Sequence, residues 1–319
     1  MENREKKYKM ASAVIQNLID ETGKGFLGKP EALELSVLAL VSGLHLLIED
    51  VSGVGKTTLI RCLATASGLD TGRIQFTPDL LPGDITGMMI WESAKKEFLY
   101  KEGPIHHQFI MADELNRAPA RTQSALLEAM QEVSVTVDGV HRLLPEPFFV
   151  AAAQNPSWYA GTYNLPESQL DRFGLSMTPG YPVREIESLI LGEFKDKKPL
   201  DGISAVSSPE EIRDLRILIS SVYVEKEVLD FAVDLGRKTR ESGIFQTGLS
   251  TRGIQHLLRA GQSLAVRQGR SFLIPEDLLS MAKPVMRHRL LLTPEARSKG
   301  FSVEQLLPDK LKEVFVPSL

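Results

Sequence analysis

The segment EDVSGVGKTTL, residues 49–59, combines glycines, a lysine and a threonine in a spacing that suits phosphate binding. The phosphate-loop pattern is G-x-x-x-x-G-K-[ST]: backbone N–H groups surround the phosphates, the lysine reaches the β- and γ-phosphates, and the hydroxyl binds Mg²⁺. Gly55, Lys56 and Thr57 match its second half, but Asp50 stands where the first glycine belongs. The residues expected at the nucleotide are Ser52, Gly53, Val54, Gly55, Lys56, Thr57 and Thr58.

Asp50 is the departure from this pattern. If the turn from strand to loop needs a positive φ, aspartate is one of the few residues other than glycine that adopts it readily. A carboxylate facing the phosphates would be repelled by them. We therefore expect the Asp50 side chain to point away from the nucleotide.

An acidic pair ends the apolar segment FIMADELN. Asp113 is placed to hold Mg²⁺ together with Thr57, and Glu114 can orient and deprotonate the attacking water. Acidic residues are also common in the first turn of a helix, and for this segment alone that would be the simpler explanation. Because the pair follows a phosphate loop at a suitable distance, the catalytic interpretation is favoured.

Three further polar residues are candidates for the same site. Asn155 ends the segment FFVAAAQN, where its amide could contact the γ-phosphate or simply start a turn. Arg172 follows a short predicted helix and precedes a strand, and a local salt bridge is the alternative role for it. Arg252 lies in the first turn of a helix capped by Ser250 or Thr251. A cation there opposes the helix dipole, which indicates an anionic partner such as a phosphate.

The hydrophobic patterns place these residues at the ends of strands. ALELSVLALVSG has helical spacing and stops at Gly43, and HLLIE is a short buried strand before the glycine-containing loop. The helix KTTLIRCLATASG follows, and HQFIMA and FFVAAAQ are further strands. This alternation through about residue 180 predicts an α/β fold with a parallel sheet flanked by helices.

Two insertions and a change of pattern complete the organisation. DLLPGDITGMMIWESAKKEFLYKEGPI is predicted as a hairpin, and VSVTVDGVHRLL as a clearer one that turns at Asp138-Gly139. After the linker GEFKDKKPLDG the pattern is helical to the end. We therefore predict a core over residues 1–195 and a smaller all-helical domain over 196–319.

The composition limits the function classes. The chain has 319 residues, of which 43% are hydrophobic and 24% charged, with a net charge of −4. These values are typical of a soluble globular protein and make nucleic-acid binding unlikely. Cys62 is the only cysteine, which excludes an intrachain disulfide. The longest apolar region, residues 37–48, is too short for a membrane helix, so a cytoplasmic location is expected.

Two basic clusters are interpreted as structural. His106 and His107 are predicted to lie on a strand edge and point to opposite faces, which argues against a transition-metal site. The RHR segment at residues 287–289 falls at a predicted helix end, where cations complement the dipole. We expect it to face solvent rather than bind nucleic acid.

In their order along the chain, the five motifs resemble the MoxR family of AAA+ ATPases. The resemblance runs from GFLGKPEALE to GRSFLIPEDLLSMAKPVMRHRL, and DELNRAPARTQSALLEAMQE and GTYNLPESQLDRF are its most specific matches. It implies an AAA+ core with a helical lid, with Asn155 as sensor 1, Arg172 as arginine finger and Arg252 as sensor 2. The family tolerates aspartate at the first loop glycine, whereas Ser52 and the pair Trp158-Tyr159 depart from its usual residues.

The resemblance also implies an activity and partners. These are Mg²⁺-dependent ATP hydrolysis, chaperone-like remodelling of protein partners that carry a von Willebrand factor A domain, and a ring of six subunits. Arg172 would reach the neighbour's nucleotide, while the lid would cover the nucleotide and supply Arg252 from the same chain. A metal-chelatase-type or nucleic-acid motor subunit stays an alternative. A nucleotide-gated scaffold is a third, against which the intact Glu114 argues.

Overall fold

The computed structural model describes residues 2–156, 158–193 and 198–317, so part of the predicted linker lies outside the described residues. The helices are α1 (Glu2–Gly25), α2 (Pro30–Ser42), α3 (Lys56–Ser67), α4 (Pro82–Thr86), α5 (Ala120–Glu132), α6 (Glu167–Leu170), α7 (Arg184–Glu193), α8 (Pro209–Ser220), α9 (Lys226–Glu241), α10 (Thr251–Arg267), α11 (Pro275–Met286), α12 (Pro294–Ser298) and α13 (Val303–Lys312). The strands are β1 (Leu46–Glu49), β2 (Thr71–Gln75), β3 (Gly87–Glu92), β4 (Glu97–Glu102), β5 (Phe109–Asp113), β6 (Ser134–Val137), β7 (Val140–Leu143), β8 (Phe149–Gln154), β9 (Leu175–Met177), β10 (Phe245–Thr247) and β11 (Leu291–Leu292).

A five-stranded sheet in the order β2-β5-β8-β1-β9 forms the centre of the molecule. Its strands pair in parallel, which confirms the predicted fold class. Parallel strands present all their carboxyl ends at one edge of a sheet. The loops after β1, β5 and β8 therefore meet at that edge, and they carry the candidate catalytic residues.

The two faces of the sheet pack against different cores. In β1, Leu46 and Ile48 enter one core and Leu47 the other, because successive strand residues point to opposite faces. The first core holds α1, α2, α3 and the helices after residue 208. The second holds α4, α5 and part of the hairpins. The sheet is thus covered on both sides, as parallel sheets require.

Helix α1 was not predicted from the charged start of the chain. It begins at Glu2 and ends at Gly25, and it buries Tyr8, Ile15 and Leu18. Its other faces carry the charges that dominate the sequence pattern. The helix packs against α2, α3 and α10, and so connects the core with the carboxyl-terminal helices.

Both predicted hairpins are confirmed. Strands β3 and β4 pair antiparallel from Gly87↔Glu102 to Glu92↔Glu97, and β6 pairs with β7. The second hairpin turns at Asp138 and Gly139, whose φ angles are 50° and 75°. Two consecutive positive φ angles are typical of a type I′ turn, for which an Asp-Gly pair is the usual signal.

The region after residue 208 is mainly helical, as predicted, but it also contains the short antiparallel pair β10–β11. Its helices α8 and α10 pack on α2, and α11 contacts β9. The region therefore lies against the face of the sheet that carries α2. Among the described residues, no helix is long and apolar enough to cross a membrane.

Candidate active site

The loop between β1 and α3 has the backbone of a phosphate-binding loop. Gly53 and Gly55 have φ angles of 90° and 87°, which residues with a Cβ adopt only under strain. Gly55 is also the N-cap of α3, and a Cβ there would come within 3.1 Å of the Phe26 ring. The N–H groups at the start of α3 are therefore left open to an anion.

Asp50 anchors this loop instead of shaping its turn. Its φ is not positive, so the turn does not need the left-handed conformation that an aspartate could have adopted here. The direction of its carboxylate is as predicted, since Asp50 does not line the cleft over the loop where phosphates would lie. Oδ1 accepts a hydrogen bond from the N–H of Val51 at 2.8 Å, and Oδ2 accepts one from Gly180 at 2.5 Å. Asp50 thus ties the phosphate loop to the chain that leaves β9.

Lys56 lies at the centre of the loop. Its ammonium donates to the carbonyl oxygens of Asp50 and Val51, the latter at 3.0 Å, and to Asn155 Oδ1 at 3.1 Å. Burial lowers the pKa of Lys56, while nearby carboxylates, Asp50 first among them, raise it. The structure therefore brings the predicted lysine and the predicted amide of Asn155 together.

Thr57 and Asp113 form the candidate metal site. The Thr57 hydroxyl donates to Asp113 Oδ1 at 3.1 Å, and Asp113 is buried. A hydroxyl and a carboxylate are the hard oxygen donors that Mg²⁺ prefers, so the residues fit this ion. Arg73 on β2, which sequence reasoning missed, donates from Nε to Asp113 Oδ2 at 3.0 Å.

Glu114 follows β5 with a φ of 55°, which turns its side chain along the rim of the cleft. Its Oε2 accepts hydrogen bonds from Gln75 Nε2 at 3.1 Å and from Arg117 Nη1 at 3.0 Å. Neither partner was predicted. Because Gln75 lies on β2 and pairs with Asp113 in the sheet, two neighbouring strand ends fix the position of this carboxylate.

Asn116 orients the Asn155 backbone. Its Nδ2 donates to the Asn155 carbonyl at 2.7 Å, and its Oδ1 accepts from the Asn155 N–H at 3.4 Å. The Ser52 hydroxyl donates to Asn155 Oδ1 at 3.4 Å. The Asn155 amide is therefore directed into the cleft rather than serving only to start a turn.

Two adjoining clefts extend over these residues. The first has a volume of about 470 Å³ and is lined by the loop, Asp113, Glu114 and Asn155. The second, of about 220 Å³, was not predicted. Its lining includes Phe26, Leu27, Val54, Pro179 and Ile190, and it shares Gly53, Gly55 and Thr58 with the first. A polar cleft thus continues into an apolar one.

Arg172 lies far from these clefts. It precedes β9, and the Gly174 N–H donates to the His45 carbonyl at 2.8 Å, at the amino end of β1. The side chain of Arg172 is partly exposed and, within the described residues, forms no ion pair or hydrogen bond. The local carboxylates are taken by others, because Asp171 pairs with Arg289 and Glu167 accepts from Thr247.

Arg252 lies at this same edge, next to His45, His256 and Arg289. Burial lowers the pKa of His256 to about 3, and nearby Arg289 and Arg252 lower it further. Among the described residues, none after Pro199 lines either cleft. The prediction that the helical region covers the nucleotide and supplies Arg252 from the same chain is therefore wrong. The region packs on α2, along the sheet face, instead of over the loop.

Two structural interpretations also need correction. The RHR segment does not face solvent, because Arg289 is buried and His288 is partly buried, and both contact the chain around Asp171. His106 and His107 precede β5 in a turn, not on a strand edge, and bond to Tyr100 and Pro104. Among the described residues, no cluster of three His, Cys, Asp or Glu could hold a metal ion.

Comparison with known proteins identifies the family. Residues 45–175 match the ATPase family associated with various cellular activities (AAA), and residues 237–317 match the AAA lid domain. The chain is 41% identical to YeaC of Bacillus subtilis (strain 168) over 94% of its length and 93% of that protein. It is 35% identical to Chaperone MoxR1 of Mycobacterium tuberculosis over 96% of its length and 83% of that protein.

A solved structure agrees with this assignment. The crystal structure of a candidate ATPase from Cytophaga hutchinsonii superimposes with a TM-score of 0.90 at 34% identity, covering 99% of both chains. The shared arrangement thus extends over the core and the helical region alike. The chain belongs to the MoxR family of AAA+ ATPases.

Proposed function

We propose that this chain is a Mg²⁺-dependent ATPase whose catalytic sites are completed between neighbouring subunits of a ring, and that hydrolysis drives the remodelling of protein partners. The observation that carries the proposal is the convergence of Lys56, Thr57, Asp113 and Glu114 on one cleft. A lysine, a hydroxyl and two carboxylates at the ends of adjacent parallel strands are the groups that phosphoryl transfer to water requires.

The phosphates of ATP would occupy the loop. Open N–H groups at the start of α3 and the Lys56 ammonium offer positive charge there. The ammonium now contacts carbonyl oxygens and Asn155 Oδ1, and a γ-phosphate would take the place of some of these acceptors. Asn155 would then contact the γ-phosphate or the attacking water. The adjoining apolar cleft suits the adenine ring, which is flat and largely apolar.

Glu114 is the proposed general base. The carboxylate is held by Gln75 and Arg117 at the rim of the cleft, where it can accept the proton of a water aligned with the γ-phosphate. Thr57 and Asp113 would hold Mg²⁺, which supplies charge neutralisation on the phosphate oxygens when it is bound. Arg73 beside Asp113 would have to share that carboxylate with the ion.

The proposal of a shared site is based on the distance between the two arginines and the phosphate loop of the same chain. Arg172 and Arg252 both lie at the amino ends of the strands, whereas the loop lies at the carboxyl ends. This separation supports the proposal that neither arginine serves the nucleotide of its own chain. In a closed ring of identical subunits, one edge of each subunit meets the opposite edge of the next. Both arginines would then face the neighbour's phosphates, with Arg172 as the finger.

The partner is inferred from the family. A relative of this chain is named a chaperone, and a ring that couples hydrolysis to movement suits work on other proteins. We propose six subunits, partners with a von Willebrand factor A domain, and a division into a core of residues 1–195 and a lid of residues 196–319. To test the partner, the proteins that bind a Glu114→Gln variant held in the ATP state are isolated and compared with those that bind Lys56→Ala. A partner should bind the first variant and not the second. Loss of ATP turnover in EDTA tests the metal requirement.

A further inference from the structure

The buried guanidinium of Arg289 holds the chain segment that carries Arg172. Its side chain is only 2% exposed, and Nε donates to Asp171 Oδ1 at 2.7 Å. Nη2 donates to the backbone carbonyls of Asp171, at 3.2 Å, and of Phe173, and Nη1 donates to that of Gly174 at 3.2 Å. One lid side chain thus fixes both flanks of Arg172.

Other side chains of the helical region bind the same segment, and together with Arg289 they form what we call the clamp. Ser250, the N-cap of α10, donates from its hydroxyl to Asp171 Oδ2 at 3.0 Å. His256 Nδ1 accepts from Arg289 Nη2 at 2.6 Å. His288 donates from Nε2 to a backbone carbonyl of the same segment at 3.0 Å. Both oxygens of Asp171 are therefore bound by groups from beyond residue 249.

Among the described residues, the side chain of Arg172 has no partner, although its backbone is held. Its N–H donates to the Gln169 carbonyl at 3.2 Å, so its backbone is fixed on that side too. Its guanidinium has no acceptor within the described part of the chain. The segment therefore combines a rigid backbone with a cation that extends from it. A group that must meet a phosphate in another subunit requires this combination.

Stability alone does not account for the clamp. A buried ion pair is often no more stable than apolar residues of similar volume, because both charges lose their hydration. Burial lowers the pKa of Arg289, which is the sign of that desolvation. What the pair does provide is direction, since a guanidinium with several fixed acceptors sets both the distance and the angle of the chain it binds.

We infer that Arg289 is a positioning residue for Arg172: it couples the arginine finger to the lid, so the placement of the lid sets how well the finger reaches the neighbour's nucleotide. This inference rests on the proposed shared site. It adds a route by which any movement of the lid, on its own or on a partner, controls hydrolysis in the next subunit.

The test begins with Arg289→Lys. A single ammonium cannot bind Asp171 and three carbonyl groups at once, so the segment should loosen. We expect turnover to fall about 10²-fold, the loss typical of a small displacement of a catalytic group. ATP affinity should be unchanged, because the loop lies at the other edge of the sheet. Arg287→Lys is the matched control, since Arg287 binds Glu304 at 3.0 Å within the lid.

Mixing experiments separate positioning from a general structural defect. Subunits with Arg289→Lys should recover activity when mixed with Lys56→Ala subunits, whose fingers are intact. They should not recover when mixed with Arg172→Ala subunits, because every finger in those rings is impaired. The inference is overturned by normal turnover in folded Arg289→Lys. The reverse pattern, recovery with Arg172→Ala but not with Lys56→Ala, also overturns it, since it would place the defect in the variant's own nucleotide site.

Two additions keep the outcome decisive. If Arg289→Lys does not fold, Asp171→Asn carries the same tests, because it keeps the shape of Asp171 but removes the charge that pairs with Arg289. Unchanged turnover in that variant would overturn the inference. The pair Arg172→Ala and Lys56→Ala is mixed in parallel. If this pair does not recover activity, the shared site and the inference are both rejected. If this pair recovers but the Arg289→Lys mixtures do not behave as expected, only the inference is rejected.

Discussion

Lys56 and Arg172 lie at opposite ends of one parallel sheet. Lys56 follows the carboxyl end of β1, and Arg172 precedes β9, whose Leu175 pairs with Leu46 at the amino end of β1. A strand rises about 3.3 Å per residue, so the four residues of β1 alone separate the two ends by about 13 Å. One copy of the chain therefore presents its phosphate loop at one end of the strands and, at the other end, an Arg172 whose side chain has no partner among the described residues.

Replacing Lys56 by alanine should remove tight ATP binding. The loop would lose its only mobile cation, and a hydrogen bond to a charged group contributes about 1.5–3 kcal/mol. We expect affinity for Mg-ATP to fall by about 10- to 100-fold, measured by titration calorimetry on folded protein. Lys101→Ala, at an exposed position of β4, should bind normally. Normal affinity in Lys56→Ala would place the nucleotide elsewhere.

Replacing Glu114 by glutamine should separate binding from chemistry. Glutamine keeps the shape of the side chain but cannot accept the proton of the attacking water. Turnover should fall about 10²–10⁴-fold while ATP affinity is kept. Phosphate release under saturating ATP measures the rate, with Glu97→Gln on the exposed hairpin as control. A Glu114→Gln protein that hydrolyses ATP at the wild-type rate would remove Glu114 from the mechanism.

Restoring the glycine of the loop pattern should weaken the site. Asp50→Gly would leave the partly buried Gly180 N–H without its acceptor, and losing a hydrogen bond of this kind typically costs about 0.5–1.5 kcal/mol. Asp50→Asn keeps one acceptor oxygen. We therefore expect stability and ATP affinity to decrease from aspartate to asparagine to glycine at this position. Chemical denaturation and nucleotide titration of the three proteins check this. A glycine variant as stable and as tight as the parent would show that Asp50 anchors nothing.

Local sequence signals predicted the core of the site well. The loop glycines, the acidic pair and the Asp-Gly turn each depend on backbone conformation or residue order over a few positions. The buried strands HLLIE and FFVAAAQ are continuous apolar runs, which a parallel sheet covered on both faces requires. These features could be read directly, and the resemblance to a known family supplied the roles that spacing could not.

Long-range pairing explains what the sequence did not reveal. Arg73 and Gln75 belong to β2, whose residues TGRIQ form no apolar run, and their partners lie 40 and 39 residues away, respectively. From the sequence, Arg289 is predicted to be solvent-exposed, because the carboxylate of its ion-pair partner Asp171 is 118 residues away. The position of the helical region could not be predicted either, because it depends on which face of α2 the region packs against, and this is determined by tertiary packing.

Three buried or partly buried histidines predict a loss of stability in mild acid. Burial lowers the pKa of His45 from 6.5 to about 4 and that of His256 to about 3, and it also lowers that of His288. The unfolded chain binds these protons below pH 6.5 and the folded chain does not, so stability falls as the pH falls. At pH 5.5, which lies well above the folded pKa values of His45 and His256, each of these two histidines should contribute a loss of about 1 kcal/mol.

Urea unfolding at pH 7 and at pH 5.5 measures this effect. His45→Gln should reduce the difference between the two pH values by about a third if the three histidines contribute equally. His141→Gln, at an exposed hairpin position, should leave the difference unchanged. Stability that is equal or higher at pH 5.5 would contradict neutral, buried imidazoles.

If each catalytic site is shared between two subunits, mixing two inactive proteins should restore ATP hydrolysis. Lys56→Ala lacks the loop cation and Arg172→Ala lacks the finger, so each should be nearly inactive alone. An arginine finger supplied by a neighbour contributes about 10³–10⁵ in rate. In mixed rings, some interfaces pair an intact loop with an intact Arg172, and these should hydrolyse ATP.

The measurement is steady-state ATP turnover of the two folded variants, alone and mixed, after subunit exchange has been demonstrated with labelled protein. With a shared site, the mixture should regain a clear fraction of wild-type activity that neither variant has by itself. If exchange is complete and the mixture stays as inactive as its components, the site is not shared between subunits.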